Sequence, residues 1–275
     1  MDPVRARARS WLFVPATRPE RFAKAAASGA DRIILDLEDA VAPEAKLLAR
    51  SQLASAPLPQ QIPVYLRVNG HGTQWFEDDL EAARQLPIAG IVLPKAESAD
   101  QVARASALLD RAQRIVAIVE TAAGLWNVLE VARGRHVERL AFGAIDFQLD
   151  TGIRGDELEL AHARSRIVLA SRVAGVAAPL DAVTPSIDDE QRLAQDAERG
   201  RRFGFAGKLC IHPRQVAATN RAFAPSQQDV EWARGLLEAL AARPEQERGA
   251  FSFKGAMVDR PVIDRARQIV AAADG

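Results

Sequence analysis

Short apolar runs, many rich in β-branched residues, alternate with amphipathic stretches along most of the chain. The run Ile115-Val-Ala-Ile-Val119 is continuously apolar, as expected of a strand buried on both faces. It stops at Glu120, and Thr121, two alanines and Gly124 offer a place for a helix to begin. Similar strands are predicted over 10–15, 32–39, 64–69, 88–95, 140–147, 180–185 and 207–213. Helices are predicted between them at 18–29, 43–53, 75–86, 99–112, 125–132, 160–176 and 188–203. Pro19 suits a first-turn position and Gly29 a helix end. Eight strands alternating with helices, with no Gly-x-Gly-x-x-Gly after the first, predict an α/β chain folded as a closed (β/α)8 TIM barrel rather than a doubly wound sheet. The barrel domain is assigned to 1–225 and a C-terminal helical extension to 226–275. That extension reads as a helix over 227–242, a polar mobile stretch at 243–249, a short segment at 250–260 around Gly255 and a last helix over 261–273. It is surplus to a barrel, which suggests a lid or an arm exchanged between subunits.

At 275 residues and 48% hydrophobic content, the chain can fill one large core. Lys plus Arg equals Asp plus Glu at 36 each. That balance argues against a nucleic-acid partner but leaves room for a local basic patch. The single cysteine, Cys210, excludes an internal disulfide, fits a reducing compartment and reads as core. No apolar stretch reaches the roughly 18 residues of a membrane span. The arm over 1–9 carries Arg5, Arg7 and Arg9 without the apolar segment of a secretory signal. The expected location is the cytoplasm.

Polar residues gather where the strands end. Arg18 follows the first strand, Asp36, Glu38 and Asp39 end the second, and Arg67 and Asn69 end the third. Lys95 ends the fourth, Glu120 the fifth, Asp146 the sixth and His212 the eighth. In a barrel these ends share one face, where active sites form. Glu120 and Asp146, each after an apolar run on adjacent strands, suit a hard cation: Mg2+, with Mn2+ as an alternative. The competing reading pairs these acids with Arg or Lys in a structural network. The four histidines lack the spacing of a zinc site. Arg67 stands one residue off the inward alternation and offers a planar fork for a carboxylate. It could equally bridge to Glu38 or Asp39, and the two roles are compatible. Asp36, Glu38 and Asp39 read as partners of metal-bound water or as loop caps. His212 reads as an orienting or core residue, and the scattered Trp11, Trp75, Trp126 and Trp232 make no stacking platform.

Several stretches together are specific: Leu12-Phe-Val-Pro-Ala-Thr-Arg-Pro-Glu-Arg21, Ile34-Leu-Asp-Leu-Glu-Asp-Ala-Val41, Leu66-Arg-Val-Asn69, Leu93-Pro-Lys95, Val119-Glu-Thr-Ala122, Phe142-Gly-Ala-Ile-Asp-Phe147 and Gly207-Lys-Leu-Cys-Ile-His-Pro213. In this order the chain resembles the citrate lyase β-subunit-like branch of the HpcH/HpaI aldolase family over about 9–213, and Gly255-Ala-Met-Val-Asp-Arg-Pro261 extends the match. The resemblance implies a TIM barrel, usually trimeric, that makes or breaks a C–C bond next to an acyl thioester. By position, Glu120 and Asp146 would ligate Mg2+, Glu120 would lie against the substrate, and Arg67 would hold the carboxylate of the oxo-acid. Phe13, Arg18 and Lys24 would contact coenzyme A, and Asp259 would be an acid/base delivered from a neighbouring subunit's lid. The implied substrate is a 3-hydroxyacyl thioester such as citryl-, malyl- or citramalyl-CoA, with an oxo-acid such as oxaloacetate as the other fragment. A substrate docked on an acyl carrier protein is less favoured, because a lid over a diffusible substrate would then be unnecessary. Two other classes compete. A metal-dependent aldolase acting on free oxo-acids would not need the basic cluster Arg18, Arg21 and Lys24. A non-catalytic barrel would not need Glu120, Asp146 and Arg67 together.

Overall fold

The structure is a computed structural model and describes residues 8–244 and 249–274. The chain divides into two compact units, Met1–Phe223 and Ala224–Gly275. In the first, eight parallel strands close in sequence order: β1 (Ser10–Pro15), β2 (Arg32–Asp36), β3 (Val64–Arg67), β4 (Gly90–Leu93), β5 (Arg114–Val119), β6 (Val137–Phe142), β7 (Ala177–Asp181) and β8 (Gly207–Cys210). The seam is sealed by β8 against β1, with Ser10 beside Lys208 and Leu12 beside Cys210. The helices of this unit are α1 (Phe22–Ala26), α2 (Lys46–Ser55), α3 (Phe76–Gln85), α4 (Ala99–Leu108), α5 (Ala122–Trp126), α6 (Val128–Ala132), α7 (Ala144–Thr151), α8 (Ala161–Ala174), α9 (Glu190–Phe203) and α10 (Arg214–Phe223).

The two-residue period of a strand explains both the apolar runs and the site. Leu12, Ile33, Leu35, Val64, Leu66, Ile91 and Ile115 belong to the core between strands and helices. Trp11, Ile34, Tyr65, Val92, Val116, Ile118, Ala141 and Leu180 fill the barrel interior. Both faces of each strand are therefore buried, which removes the alternation of a half-exposed strand. Two residues beyond the interior set, on the same inward row, come Phe13, Asp36, Arg67, Glu120 and Gly143, all lining the mouth. Arg67 is thus in phase with Tyr65, not one residue off the inward row as the sequence suggested. Val64 and Leu66 are the outward row of β3, packed against the helices.

Other boundaries move for local reasons. The predicted strand over 140–147 begins earlier and stops at Phe142; Gly143 opens α7, so Asp146 sits in the first turn of a helix. The predicted helix over 125–132 is two short ones broken at Asn127, whose side-chain amide donates to the Glu97 carbonyl at 2.8 Å. The helices predicted from 18 and 43 each start with a 3-10 turn, Pro19–Arg21 and Pro43–Ala45. The strand predicted at 180–185 ends at Asp181, leaving Val183 and Thr184 in the following loop. After β8 the chain forms α10, a helix the apolar pattern did not predict. Cys210 is fully buried, as expected of a core residue.

The second unit contains α11 (Gln227–Ala241), a hairpin of β9 (Phe251–Phe253) and β10 (Ala256–Val258), and α12 (Arg260–Ala273). Its core is Ala233, Leu236, Leu240, Phe251, Val258, Ile263 and Ala266. The predicted segment at 250–260 is therefore an antiparallel hairpin, with Gly255 at φ 79° in its turn. Residues 245–248 of the polar stretch, and Arg5 and Arg7 of the N-terminal arm, lie outside the described residues. Among the described residues, no helix is long and apolar enough to cross a membrane.

Candidate active site

The register of β2 and β3 sets Asp36 directly beside Arg67. Their side chains form a fork: Arg67 Nε and Nη2 donate to the two Asp36 oxygens at 2.7 Å each. Asp36 also accepts the backbone N–H groups of Glu38 at 2.9 Å and Ala40 at 3.1 Å. A carboxylate offers about four acceptor positions, so Asp36 is committed to the loop and to Arg67 and takes the loop-cap role. Arg67 Nη1 lies 3.1 Å from Glu38 and 3.3 Å from Asp39, and its guanidinium stacks over Phe13, 4.6 Å from the ring centre. Burial disfavours the Arg67 charge, but Asp36, then Glu38 and Asp39, outweigh that and raise its pKa. The loop is also held by Lys46, whose Nζ donates to the carbonyls of Leu37 at 2.8 Å and Glu38 at 2.9 Å.

Glu120 continues the inward row of β5 and is buried. Its Oε1 accepts the backbone N–H of Lys95 at 2.7 Å. Burial, then the Glu38 charge, pushes its pKa from the ordinary 4.5 up to about 8. Lys95 adopts φ 46°, the left-handed region that L-residues rarely occupy. Its Nζ lies 3.1 Å from Glu38 and 3.7 Å from Asp146, which links the ends of β2, β4 and α7. The Glu120 carboxylate fits where it does because residue 143 is glycine: a Cβ there would stand 2.6 Å from Glu120 Cβ and closer still to Oε2. Gly143→Ala is therefore expected to displace the carboxylate, weaken Mg2+ binding at least tenfold and cost roughly 1–3 kcal/mol of stability. Metal titration and thermal denaturation of the variant measure both effects.

Phe13, Asp36, Asp39, Arg67, Glu120, Gly143 and Asp146 line a cavity of about 420 Å³ at the barrel mouth, together with Ile118, Phe142, Ile145, Val183, Leu209 and Ile211. Five carboxylates (Asp36, Glu38, Asp39, Glu120 and Asp146) stand around Arg67 and Lys95. Glu120 is the most deeply buried of the acids without a cationic side chain against it, and burial first, then the Glu38 charge, raises its pKa. An all-oxygen, acid-rich mouth fits a divalent cation that keeps some of its water. Among the described residues no cluster of three or more His, Cys, Asp or Glu forms a closed metal cage, so Glu120 and Asp146 would hold the ion with substrate and water completing its shell.

Arg18 and Lys24 are exposed, and Arg18 lies 3.6 Å from Glu20 in a weak surface pair. Phe13 faces the mouth beneath Arg67 rather than outward. Asp259 lies in the second unit, where it caps α12 by accepting the Val262 N–H at 3.4 Å and lines a cavity of about 690 Å³ internal to that unit. His212 accepts the Arg214 backbone N–H through Nδ1 at 3.2 Å and does not line the mouth cavity. Sequence reasoning placed Lys95 at a strand end without a role and passed over Lys46 and Gly143. The glycine that breaks the apolar run Leu140-Ala-Phe-Gly143 was the one available signal, since its neighbour Glu120 comes from the end of the preceding strand.

Comparison with known proteins gives a consistent picture. A model of the HpcH/HpaI aldolase/citrate lyase family matches residues 9–213. A citrate lyase subunit beta-like protein of Deinococcus radiodurans is 39% identical, over 96% of this chain and 96% of that one. A (3S)-malyl-CoA thioesterase of Cereibacter sphaeroides is 33% identical, over 97% of this chain and 94% of its own. Among solved structures, the Mycobacterium tuberculosis protein CitE in complex with magnesium, acetoacetate and coenzyme A superposes with a TM-score of 0.86 at 38% identity, covering 98% of this chain and all of that one.

Proposed function

The chain belongs to the HpcH/HpaI aldolase/citrate lyase family, and from that premise we propose that it is a Mg2+-dependent carbon–carbon lyase acting on a 3-hydroxyacyl thioester of coenzyme A. The malyl, citramalyl and citryl thioesters are the candidate substrates, cleaved to an acyl thioester and a 2-oxo-acid or formed by the reverse condensation. The observation that carries this reading is the buried Glu120 carboxylate, set with Asp146 at a mouth short of positive charge and beside an arginine fork. The M. tuberculosis complex with magnesium, acetoacetate and coenzyme A supports the same ligand classes here.

When bound, the divalent ion supplies Lewis acidity to the substrate hydroxyl and carboxylate. Arg67 orients that carboxylate: Asp36 fixes its plane, and Asp39, whose side chain is exposed, is the partner that gives way. Lys95 holds Glu120 through its backbone N–H, which keeps the carboxylate aimed into the mouth. In cleavage the hydroxyl proton leaves, the C–C bond breaks to a 2-oxo-acid, and the acyl thioester departs as an enolate that takes up one proton. Asp259 is the donor for that last step, delivered by the C-terminal unit of a neighbouring subunit in a homotrimer. Arg18 and Lys24 contact the nucleotide end of coenzyme A.

The direct test incubates the protein and Mg2+ with the three CoA thioesters and follows release of the oxo-acid. Cleavage lost with a chelator and restored by Mg2+ or Mn2+ is expected, and chelator-insensitive cleavage overturns the metal assignment. Asp259→Ala is expected to lower kcat about a hundredfold while leaving coenzyme A binding unchanged; full activity removes its role. The aldolase reading, with free oxo-acids as substrates, is supported by Phe13, which lies beneath Arg67 and is turned away from a nucleotide, whereas Arg18 is exposed and held only by a weak pair to Glu20. Calorimetry with coenzyme A separates the two. Binding weakened severalfold by Arg18→Ala is expected, whereas no binding favours the aldolase.

A further inference from the structure

The two loops on the β7–β8 side of the mouth outrun the sheet that carries them. Registered pairing of β7 with β8 stops at Asp181 and Lys208, and that of β8 with β1 at Cys210 and Leu12. Val183 and Ile211, which line the cavity, both lie beyond those last pairs. The ladder supplies no partners there, so the loop backbone must find them elsewhere. A single side chain provides three. Gln215, buried in the first turn of α10, accepts the Ile211 N–H through Oε1 at 2.9 Å. Its Nε2 donates to the carbonyls of Thr184 at 2.8 Å and Ser186 at 3.1 Å. An amide offers two N–H groups and about two acceptor positions, so most of this one is spent on the main chain of the two loops. Other bonds tie each loop to its own helix. The Thr184 hydroxyl donates to Asp196 of α9 at 2.8 Å, and the Gln215 N–H donates to the His212 carbonyl at 3.0 Å. Gln215 joins one loop to the other.

From this arrangement we infer that Gln215 is a positioning residue: by holding the β7 and β8 loops at one separation, it sets where Val183 and Ile211 stand and hence the width of the mouth. Gln215 does not itself line the cavity, so it acts through the loops. The acidic side of the mouth has its own supports. There β5 pairs with β6 as far as Val119 and Phe142, and Glu120 accepts the Lys95 N–H. The inference rests on the thioester-lyase reading for the ligand that fills the mouth, and on these hydrogen bonds for the geometry. A wall that encloses a ligand without reacting contributes to ground and transition states alike. Its displacement is therefore read in KM more than in kcat.

Two variants test it. Gln215→Met keeps the length of the side chain and removes all three of its bonds to the loops. With saturating Mg2+, its KM for whichever CoA thioester is cleaved is expected to rise about tenfold, with kcat held within about threefold. Mg2+ affinity in the absence of substrate, from metal titration, is expected to stay unchanged. Gln215→Asn keeps an amide but is one methylene short of spanning both loops. It is expected to show the same split, with KM raised about fivefold, and it carries the comparison if the methionine variant does not fold. A second measurement needs no turnover: ligand-observed NMR in Mg2+ is expected to show freshly prepared oxaloacetate bound about fivefold or more weakly by the variants. An unchanged KM, an unchanged oxaloacetate affinity, or a Mg2+ affinity that falls in step with them overturns the inference. If the unsubstituted protein cleaves no thioester, the lyase reading falls, and the oxaloacetate comparison still decides the role of Gln215.

Discussion

Glu120→Gln is expected to abolish Mg2+-dependent cleavage and, at the same time, to stabilise the metal-free protein at alkaline pH. The two effects have one origin. The Glu120 pKa lies at about 8 in the folded chain against the ordinary 4.5, chiefly because of burial and then the Glu38 charge. Between those values the folded state binds a proton that the unfolded state has released. Without metal, the stability associated with this group is full below about pH 4.5 and declines as pH rises through about 8, beyond which the loss is complete. That loss is on the order of a few kcal/mol. Glutamine cannot ionise, and its carbonyl can still accept the Lys95 N–H that Oε1 accepts now. The melting temperature of the chelator-treated variant should therefore exceed that of the unsubstituted protein at pH 9 and converge with it toward pH 5. Added Mg2+ should raise the melting temperature of the unsubstituted protein, more strongly as pH rises, and leave the variant unmoved, while cleavage by the variant falls roughly a thousandfold. Parallel pH profiles, or an equal Mg2+ shift in both proteins, would refute this assignment of Glu120.

Arg67→Met should be the most destabilising single change at the mouth, and Arg67→Lys should separate its two roles. Arg67 neutralises Asp36 and Glu38 where neither can reach bulk water. Its removal leaves buried carboxylates without their cation, worth roughly 3–5 kcal/mol. Glu38, already raised by burial, loses the charge that most lowers it, so the deficit should shrink in acid as carboxylates protonate. Lysine restores a charge but not the two parallel bonds to Asp36 or the stacking on Phe13. Stability should then recover by more than half while kcat/KM stays down about a hundredfold, mostly through KM. Adding Asp36→Asn to Arg67→Met should return stability and no activity. If that double variant cleaves thioesters normally, Arg67 serves the fold alone.

The barrel was legible because its strands are buried on both faces, which makes them continuous apolar runs, and because length and alternation then leave few topologies. The inner acids were legible as charges that interrupt those runs. The placement of Asp146 was not: Phe142-Gly-Ala-Ile-Asp-Phe147 is apolar enough for a strand and too short to show a helical period. Gly143 closes β6 there and starts a helix whose first turn favours an acid. Similarly, α10 has a helical period, but the face it buries is Gln215, Val216, Ala218 and Thr219, too small and polar to read as an apolar stripe, and that face is covered by α9, β8 and β1. Lys95 was found but not understood, because its partners Glu38, Glu120 and Asp146 come from three other segments. Only a closed barrel brings those segments within reach of one side chain. The hairpin between α11 and α12 has six paired residues and no alternation long enough to read.

Glu120 and Gly143, set side by side where β5 and β6 end, occupy one shared volume. Neither position can therefore drift alone. Among descendants of this chain, a methyl group at 143 would be tolerated only where residue 120 had shortened or lost its charge, and a carboxylate of full length at 120 would hold 143 to glycine. The pair should be inherited as a unit, and its joint loss would mark barrels that keep the fold after giving up the ion.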